Sequence, residues 1–241
     1  MIIDSHMHVK NGDVYRTEAT GEQIIAAMDK AGIDIGVVFA MCASPADSVQ
    51  MTYREMQKYP DRLIGYAYAR PCYDVVVTDI IKNAFDHYGM RGIKIHRGET
   101  LLIPEVIGPV VEVAIKYGYP CVIDSGNDYD SIFALIKAYP ELKLILAHLG
   151  SPGGDVRAID RIIEYIKDYP NVYLDTSYTA VYWKIRDAVD RLGASRVIYG
   201  SDGVIIDPRT ELKKIEVLGF SPEQLELILC KNIAGLIGLD V

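Results

Sequence analysis

The 241-residue chain has few cysteines, one tryptophan and an excess of acidic over basic residues. Its four cysteines lie far apart and form no C-x-x-C pair, which argues against a disulfide scaffold and a zinc–thiolate site. With 25 basic and 33 acidic residues the net charge is −8. We therefore expect no nucleic-acid partner that is bound through bulk positive charge.

Long apolar segments are also missing. No run of 18 apolar residues occurs, so we expect no transmembrane helix and no membrane partner. The first residues lack the basic segment and apolar stretch of a signal peptide, which favours a soluble cytoplasmic protein. A hydrophobic content of 50% and a charged content of 24% are typical of a globular chain. The length and the absence of a linker predict one domain over residues 1–241.

What the chain does contain is a repeating pattern of short apolar, β-branched runs separated by amphipathic stretches. The eight runs are Ile2–His8, Ile33–Ala40, Leu63–Arg70, Gly92–His96, Pro120–Gly126, Leu142–Gly150, Val172–Ser177 and Arg196–Gly203. Their starts are spaced by roughly 28 residues on average, close to the ~30 residues of one βα unit. The pattern predicts a compact α/β protein, a single (β/α)8 TIM barrel, with a doubly wound open sheet as the alternative.

The stretches between these runs carry helix signals. Thr20 is a candidate N-cap for a helix over Gly21–Lys30, and Ser221 followed by Pro222 and Gln224 is a second start signal. Proline after a tyrosine stops a helix just before a strand at four places. These places are Tyr59-Pro60, Tyr119-Pro120, Tyr139-Pro140 and Tyr169-Pro170.

Titratable residues collect where the predicted strands end, which is where barrel enzymes place their active sites. Four of the five histidines fall at these ends. The strand-end residues, in chain order, are His6, His8, Arg70, Lys94, His96, Asp124, His148, Asp175 and Asp202.

His6 and His8 stand two apart on the first predicted strand, so they point to the same face. Two imidazoles in this arrangement can bind one divalent ion. Asp202, in Gly200-Ser201-Asp202, suits a metal ligand and a general base, with an N-cap as the alternative. His148 suits acid–base catalysis, an electrophilic contact or metal binding, or else a satisfied core histidine.

Asp124 ends the fifth predicted strand, where it could be a further metal ligand or could cap the turn that follows. Lys94 and His96 share one face of the fourth predicted strand. Lys94 could bind a substrate carboxylate, be carboxylated between two metal ions, or form a buried ion pair.

Two arginines lie at or just beyond predicted strand ends. Arg70 and Arg97 suit carboxylate recognition, with structural ion pairs as the alternative. Together with Lys94 and His96 they predict a small anionic substrate.

The motifs resemble those of the amidohydrolase superfamily, specifically its amidohydrolase-2 branch, over nearly the whole chain. The similar segments are Asp4-Ser5-His6-Met7-His8, Gly92-Ile93-Lys94-Ile95-His96, Leu146-Ala147-His148-Leu149-Gly150, Gly200-Ser201-Asp202 and the C-terminal Asn232-Ile233-Ala234-Gly235-Leu236-Ile237-Gly238-Leu239. The resemblance implies a metal-dependent hydrolase, lactonase or decarboxylase. TatD-type deoxyribonucleases share the barrel and the H-x-H pair, but they carry Glu and His where this chain has Lys94 and Asp124.

The resemblance also identifies one departure. Members of the branch usually have a metal-binding histidine where this chain has Asp124. A carboxylate can still bind zinc or manganese, but it lowers the charge of the site and makes bound water less acidic.

We therefore expect His6, His8, Asp124 and Asp202 to hold a divalent metal, zinc in the first place and manganese in the second. Asp202 and His148 are the expected catalytic groups. The expected reaction is hydrolysis of an ester, lactone or amide by metal-activated water. A non-oxidative decarboxylase, a metal-independent lactonase and a barrel that only binds ligand are the alternatives, and a homodimer is compatible with the sequence.

Overall fold

The computed structural model describes residues 1–11 and 18–241, and it contains a ring of eight parallel strand positions. The strands are β1 (Ile3–Asn11), β3 (Ile35–Ala40), β4 (Leu63–Gly65) with β5 (Ala67–Tyr68), β6 (Ile93–His96), β7 (Cys121–Asp124), β8 (Leu144–Leu146), β9 (Val172–Asp175) and β10 (Val197–Ile198). A short strand, β2 (Glu18–Ala19), pairs with the end of β1 in the antiparallel sense. The predicted (β/α)8 barrel is confirmed.

Hydrogen bonds continue the ring at the two places where the regular strand pairing is interrupted. Tyr66 separates β4 from β5, and these two halves of one strand pair with β3 and β6 respectively. The first and last strands are joined by hydrogen bonds from Ser5 N to Tyr199 O (3.1 Å) and from Asp202 N to His6 O (2.8 Å). The second of these bonds places Asp202 directly beside His6 at the mouth of the barrel.

Helices cover the outside of the strands. They are α1 (Gly21–Ala31), α2 (Pro45–Lys58), α3 (Val77–Tyr88), α4 (Pro104–Tyr117), α5 (Tyr129–Ala138), α6 (Val156–Tyr165), α7 (Trp183–Leu192), α8 (Pro208–Val217), α9 (Pro222–Glu226) and α10 (Asn232–Ile237). Thr20 and Ser221 are N-caps, as the sequence predicted, and each forms a full capping box with the glutamine three residues later. Among the described residues, no helix combines the length and the apolar character needed to cross a membrane.

Apolar side chains fill the lower part of the barrel and leave the polar strand ends above them. This inner cluster contains Ile3, Val37, Phe39, Tyr66, Val122, Ile145, Ala147 and Ile198. A larger apolar layer lies between the strands and the helices. Because the interior is closed by this packing, any chemistry at the strand ends takes place at the mouth.

The observed strands differ from the predicted runs mainly at their ends. β1 continues to Asn11, three residues beyond the predicted end, and β10 is only two residues long. An extra residue of β1 lies opposite β3 between Asp4 and Met7, which is a β-bulge next to His6.

Candidate active site

A cavity of about 210 Å³ opens at the C-terminal ends of the strands. Seven titratable side chains line it: His6, His8, Lys94, His96, Asp124, His148 and Asp202. Four apolar side chains from different loops form the rest of its wall: Met41, Pro152, Tyr178 and Ile205. The structure thus brings together seven of the nine residues to which the sequence analysis assigned a metal-binding, catalytic or substrate-binding role. Arg70 and Arg97 do not line the cavity.

His6 is oriented by a buried carboxylate behind it. Its Nδ1 lies 2.7 Å from Asp175 Oδ2, so Nε2 faces the cavity. Nε2 is 3.2 Å from Lys94 Nζ and 3.4 Å from Asp202 Oδ1. Burial, together with the charge of Lys94, lowers the pKa of His6 to about 4. The ring is therefore neutral at pH 7, which is the form that binds metal ions.

His8 and Asp202 meet at the same corner. His8 Nε2 lies 2.8 Å from Asp202 Oδ1, and the rings of His6 and His8 have centroids 5.3 Å apart. Burial lowers the pKa of His8. Burial also acts to raise the pKa of Asp202, but the hydrogen bond with His8 and the neighbouring histidines outweigh it and hold that pKa far below its usual range.

The glycine before this aspartate allows the two strands to approach closely. A Cβ atom at Gly200 would lie 2.9 Å from the Cβ of His6, so a larger residue would push the first and last strands apart. Asp202 itself has a left-handed backbone with φ of 62°. Strained residues of this kind often occur at functional sites.

Asp124 links two histidines on the opposite side of the cavity. Its Oδ2 lies 3.1 Å from His96 Nε2 and 3.3 Å from His148 Nε2, while Oδ1 accepts a hydrogen bond from Gly126 N at 2.9 Å. Burial acts to raise the pKa of Asp124, yet these two histidines hold it well below its usual range. Asp124 is thus a bridge between His96 and His148 as well as a cap of the turn after β7.

Both ring nitrogens of His148 have partners. Nδ1 is 3.0 Å from the carbonyl oxygen of Ser177 and 2.9 Å from its hydroxyl, and Nε2 faces Asp124. A carbonyl oxygen can only accept, so Nδ1 carries a proton. Burial lowers the pKa of His148, but the bond to Asp124 and the surrounding carboxylates outweigh it and raise the pKa overall. His148 is therefore equipped to donate a proton from Nε2.

Asp175 is a site residue that the sequence analysis gave no role. It is fully buried at the end of β9, and its Oδ1 accepts hydrogen bonds from His148 N (2.8 Å), Ser177 N (3.0 Å) and Ser177 Oγ (2.6 Å). Although burial acts to raise it, the contact with His6 and the other partners lower the pKa of Asp175 to about 2. An acidic residue after an apolar strand was the available signal.

Lys94 is 1% exposed and lies under the histidines. Besides its contact with His6, Nζ stands 4.8 Å from the centroid of the Phe39 ring. Asp124 and Asp202 act on it electrostatically, but burial has the larger effect and lowers the pKa of Lys94. The described contacts do not show the direct ion pair with Asp124 or Asp202 that was one of the sequence-based alternatives.

The two arginines have other partners. Arg97 Nε donates a hydrogen bond to Asp128 Oδ2 at 2.7 Å, and Asp128 is the N-cap of α5. Arg70 Nη1 stands 3.9 Å from Glu99 Oε2. Arg97 thus belongs to a structural ion pair, which was the alternative to its predicted role in substrate binding.

The donor atoms at the cavity fit a divalent metal ion. Ligand atoms of His6, His148 and Asp202 all lie within 4.8 Å of one another, whereas two ligands that are each about 2.1 Å from a tetrahedral zinc ion lie roughly 3.4 Å apart. Of these three, the neutral imidazole of His6 and the ionised carboxylate of Asp202 are suitable ligands for zinc or manganese. The carboxylate of Asp175 behind His6 provides the outer hydrogen bond that metal-binding histidines usually have.

Solved structures of similar fold include two that contain a metal ion. An amidohydrolase from Burkholderia multivorans with bound zinc has a TM-score of 0.81 and 11% identity, with 100% of each chain covered. A 5-carboxyvanillate decarboxylase from Novosphingobium aromaticivorans with bound manganese has a TM-score of 0.77 and 16% identity, with 99% of this chain and 97% of that chain covered.

A third structure belongs to a probable 2-pyrone-4,6-dicarboxylic acid hydrolase from Acinetobacter baumannii. It has a TM-score of 0.75 and 18% identity, with 99% of each chain covered. No curated protein matches the sequence significantly. The sequence model of the amidohydrolase family, however, matches residues 3–239. The chain therefore belongs to the amidohydrolase family of enzymes.

Proposed function

We propose that this protein is a metal-dependent hydrolase that cleaves an ester, lactone or amide bond in a small anionic substrate. The observation that carries the proposal is the position of one carboxylate oxygen. Asp202 Oδ1 lies 2.8 Å from His8 Nε2 and 3.4 Å from His6 Nε2, at the mouth of the cavity. Zinc is the first candidate and manganese the second, because similar barrels hold these ions.

His6, His8 and Asp202 would hold the ion. His148 lies within reach of this set, but Nδ1 is engaged with Ser177 and Nε2 with Asp124, which suits a proton donor better than a ligand. Asp124 would act through His148 and His96, which revises its predicted role as a ligand. A bound ion would polarise a carbonyl group and lower the pKa of water.

The protein groups have separate tasks in this reaction. Asp202 would accept the proton that water loses during attack. His148, held by Ser177 and Asp124, would donate a proton to the leaving group. Lys94 and the half-buried His96 are the basic groups that line the cavity and would bind a carboxylate of the substrate. We do not assign this task to Arg97, because it pairs with Asp128 and does not line the cavity.

A non-oxidative decarboxylase is the second candidate, and the wall of the cavity favours it. Met41, Pro152, Tyr178 and Ile205 give an apolar rim, and the Tyr178 ring lies edge-on to His148 at 5.7 Å. A volume of about 210 Å³ suits one ring, since a cavity of roughly 150 Å³ can hold benzene. In this reaction His148 would donate its proton to the ring carbon that loses carbon dioxide.

Metal analysis tests the feature that both candidates share. Protein purified without chelator should contain about one equivalent of zinc or manganese by mass spectrometry, and His6→Ala should lose it. His87→Ala, on the exposed face of α3, is the matched control. Failure of the wild-type protein to bind either ion after soaking would refute the proposal.

Product analysis then separates the two candidates on any substrate found by screening. Hydrolysis in 18O-labelled water incorporates the label into the product acid, whereas decarboxylation releases carbon dioxide without consuming water. Release of carbon dioxide with no label in the organic product would replace the hydrolase by the decarboxylase.

A further inference from the structure

Exposed apolar side chains gather at the mouth of the barrel. Thirteen large apolar residues are exposed among those that the structure describes, and ten of them lie between the end of a strand and the first turn of the next helix. The three exceptions are Met1, Val217 and Val241. Because the loops that follow parallel strands all lie on one face of a barrel, these ten side chains share the face that holds the cavity. Clustered apolar exposure of this kind marks a binding surface.

The aromatic part of this surface is carried by the segment between β9 and α7. Tyr178, Tyr182 and Trp183 are 48%, 41% and 52% exposed, and we refer to these three residues as the aromatic platform. The rings of Tyr182 and Trp183 pack edge to face, with centroids 5.7 Å apart. A ring that stays in water gives up the stabilisation that burial would provide, so three in one segment indicate a ligand that covers them.

The backbone is anchored on both sides of the aromatic platform. Tyr178 has a left-handed φ of 48°, while its neighbours Ser177 and Thr179 are fully buried. Thr179 Oγ1 donates a hydrogen bond to the carbonyl oxygen of Ser177 at 3.1 Å, which fixes the turn that presents Tyr178. At the other end, the buried side chain of Lys184 pairs with carboxylates of α6 and α7. The segment therefore holds its aromatic rings at a fixed place beside the mouth.

The aromatic platform continues from the wall of the cavity. Tyr178 lines the cavity, and its ring lies edge-on to that of His148 with centroids 5.7 Å apart. Pro152 also lines the cavity, and the loop that carries it touches the platform segment two residues later. A Cβ atom at Gly154 would lie 2.9 Å from Val181 Cγ2, so the loop and the segment pack closely because residue 154 is glycine. An apolar group that leaves the cavity past Tyr178 and Pro152 therefore reaches the rest of the platform.

We infer that the aromatic platform is a subsite for a large apolar substituent of the substrate, which it binds outside the cavity. The buried Lys94 would take the carboxylate at the inner end, so the opposite end of the substrate projects through the mouth. The cavity itself, at about 210 Å³, suits one ring, and a larger substrate extends beyond it. The preferred substrates are then amphiphilic carboxylates with an alkyl or aryl group opposite the carboxylate, which deepens the proposed function and rests on it.

Two probes that differ only at the apolar end test the subsite. Benzoate and 4-butylbenzoate are titrated calorimetrically into the zinc-loaded protein, and the ratio of their dissociation constants is measured. The butyl chain should tighten binding about tenfold, which corresponds to half-burial of its four carbons. Trp183→Ala and Tyr182→Ala should each remove most of this advantage, and Trp183→Phe should retain much of it because a ring remains. Tyr73→Ala, an exposed aromatic between β5 and α3, is the matched control and should keep the wild-type ratio.

Fluorescence provides a second test without any substitution. Trp183 is the only tryptophan of the chain, so its emission reports on the aromatic platform directly. 4-Butylbenzoate should exclude water from the indole and shift the emission to shorter wavelength, whereas benzoate, which stays inside the cavity, should leave it unchanged. Because the wild-type protein is used, a misfolded variant cannot imitate the result.

The outcomes separate this inference from the proposed function. If zinc-loaded protein binds 4-butylbenzoate no more tightly than benzoate, or if the advantage survives both alanine substitutions, the inference is wrong and the metal site stands. If sedimentation shows a ligand-free dimer that Trp183→Ala converts to a monomer, the aromatic platform is an interface with a second copy and the subsite is refuted as well. Lack of zinc contradicts the proposed function by a measurement that involves neither probe.

Discussion

Asp175 fixes two parts of the site at once, because one carboxylate oxygen contacts the His6 ring and the other the backbone of His148. Oδ2 lies 2.7 Å from His6 Nδ1, and Oδ1 accepts the His148 N–H at 2.8 Å. The first contact orients the imidazole so that its Nε2 faces the cavity. The second holds the sharp turn after β8, where His148 has a left-handed backbone with φ of 61°.

Asp175→Asn should therefore weaken metal binding about 10- to 100-fold, which is the usual effect of losing the outer partner of a metal-binding histidine. The amide still accepts a hydrogen bond but carries no charge to support the imidazole. Chelator competition gives the zinc dissociation constant. Asp190→Asn, on the exposed side of α7, is the control, and an unchanged constant in Asp175→Asn would show that Asp175 only stabilises the fold.

His148→Gln should retain the metal and lose activity. If His148 donates the proton, turnover of any substrate found by screening should fall about 10²- to 10⁴-fold, while zinc stoichiometry and affinity stay close to wild type. Loss of zinc instead would make His148 a ligand, as its position within 4.8 Å of His6 and Asp202 would allow. His87→Gln controls for the loss of an imidazole.

The sequence predicts the barrel and most of the site because these depend on local patterns. The H-x-H pair and the strand-end Asp202 follow from alternation along a strand and from topology. The roles of Asp124 and Asp175 depend on contacts between residues far apart in the chain. Whether Asp124 faces an ion or His148 is decided by the turn at Gly126 and by the path of the next strand. No local pattern contains that information.

Arg97 is a second example of a contact that no local pattern predicts. Its partner Asp128 lies 31 residues away, at the start of α5, and the two meet because the loops after β6 and β7 are neighbours. The sequence places Arg97 just beyond a strand end but does not identify Asp128 as its partner.

Lys94→Met should weaken anion binding and leave the metal in place. Methionine fills a similar volume but removes the buried positive charge next to His6, so a carboxylate loses an attractive partner. We expect benzoate to bind zinc-loaded protein about tenfold more weakly or worse, consistent with the loss of a charged hydrogen bond. Lys82→Met, on the surface of α3, is the control. Unchanged benzoate binding with full zinc occupancy would place the anion elsewhere.

Two buried groups near the site should make opposite contributions to the pH dependence of stability. His6 has a pKa of about 4 in the folded protein against 6.5 in the unfolded protein. Its stabilising contribution to the free energy of unfolding is therefore lost as the pH falls from 6.5 to about 4. Asp4 is the reverse case. Burial raises its pKa from 3.8 to about 7, so its contribution is present at low pH and is lost as the pH rises toward 7.

Between pH 4 and 6.5, His6 and Asp4 change the free energy of unfolding in opposite directions. The substitution Asp4→Asn removes the contribution of Asp4, so that of His6 should become visible. Asparagine resembles the protonated carboxyl and can still accept the hydrogen bonds from His6 N and Ser201 N. In metal-free protein, the free energy of unfolding of the variant should fall more steeply on acidification than that of the wild type. The slopes should differ by up to ~1.4 kcal/mol per pH unit.

Urea denaturation in EDTA at several pH values across this window measures the difference. The remaining titratable groups are shared by both proteins, so their contributions cancel when the two slopes are subtracted. Asp61→Asn, in the exposed turn after α2, should follow the wild-type profile. Parallel profiles for Asp4→Asn and the wild type would mean that Asp4 is ionised in the folded state.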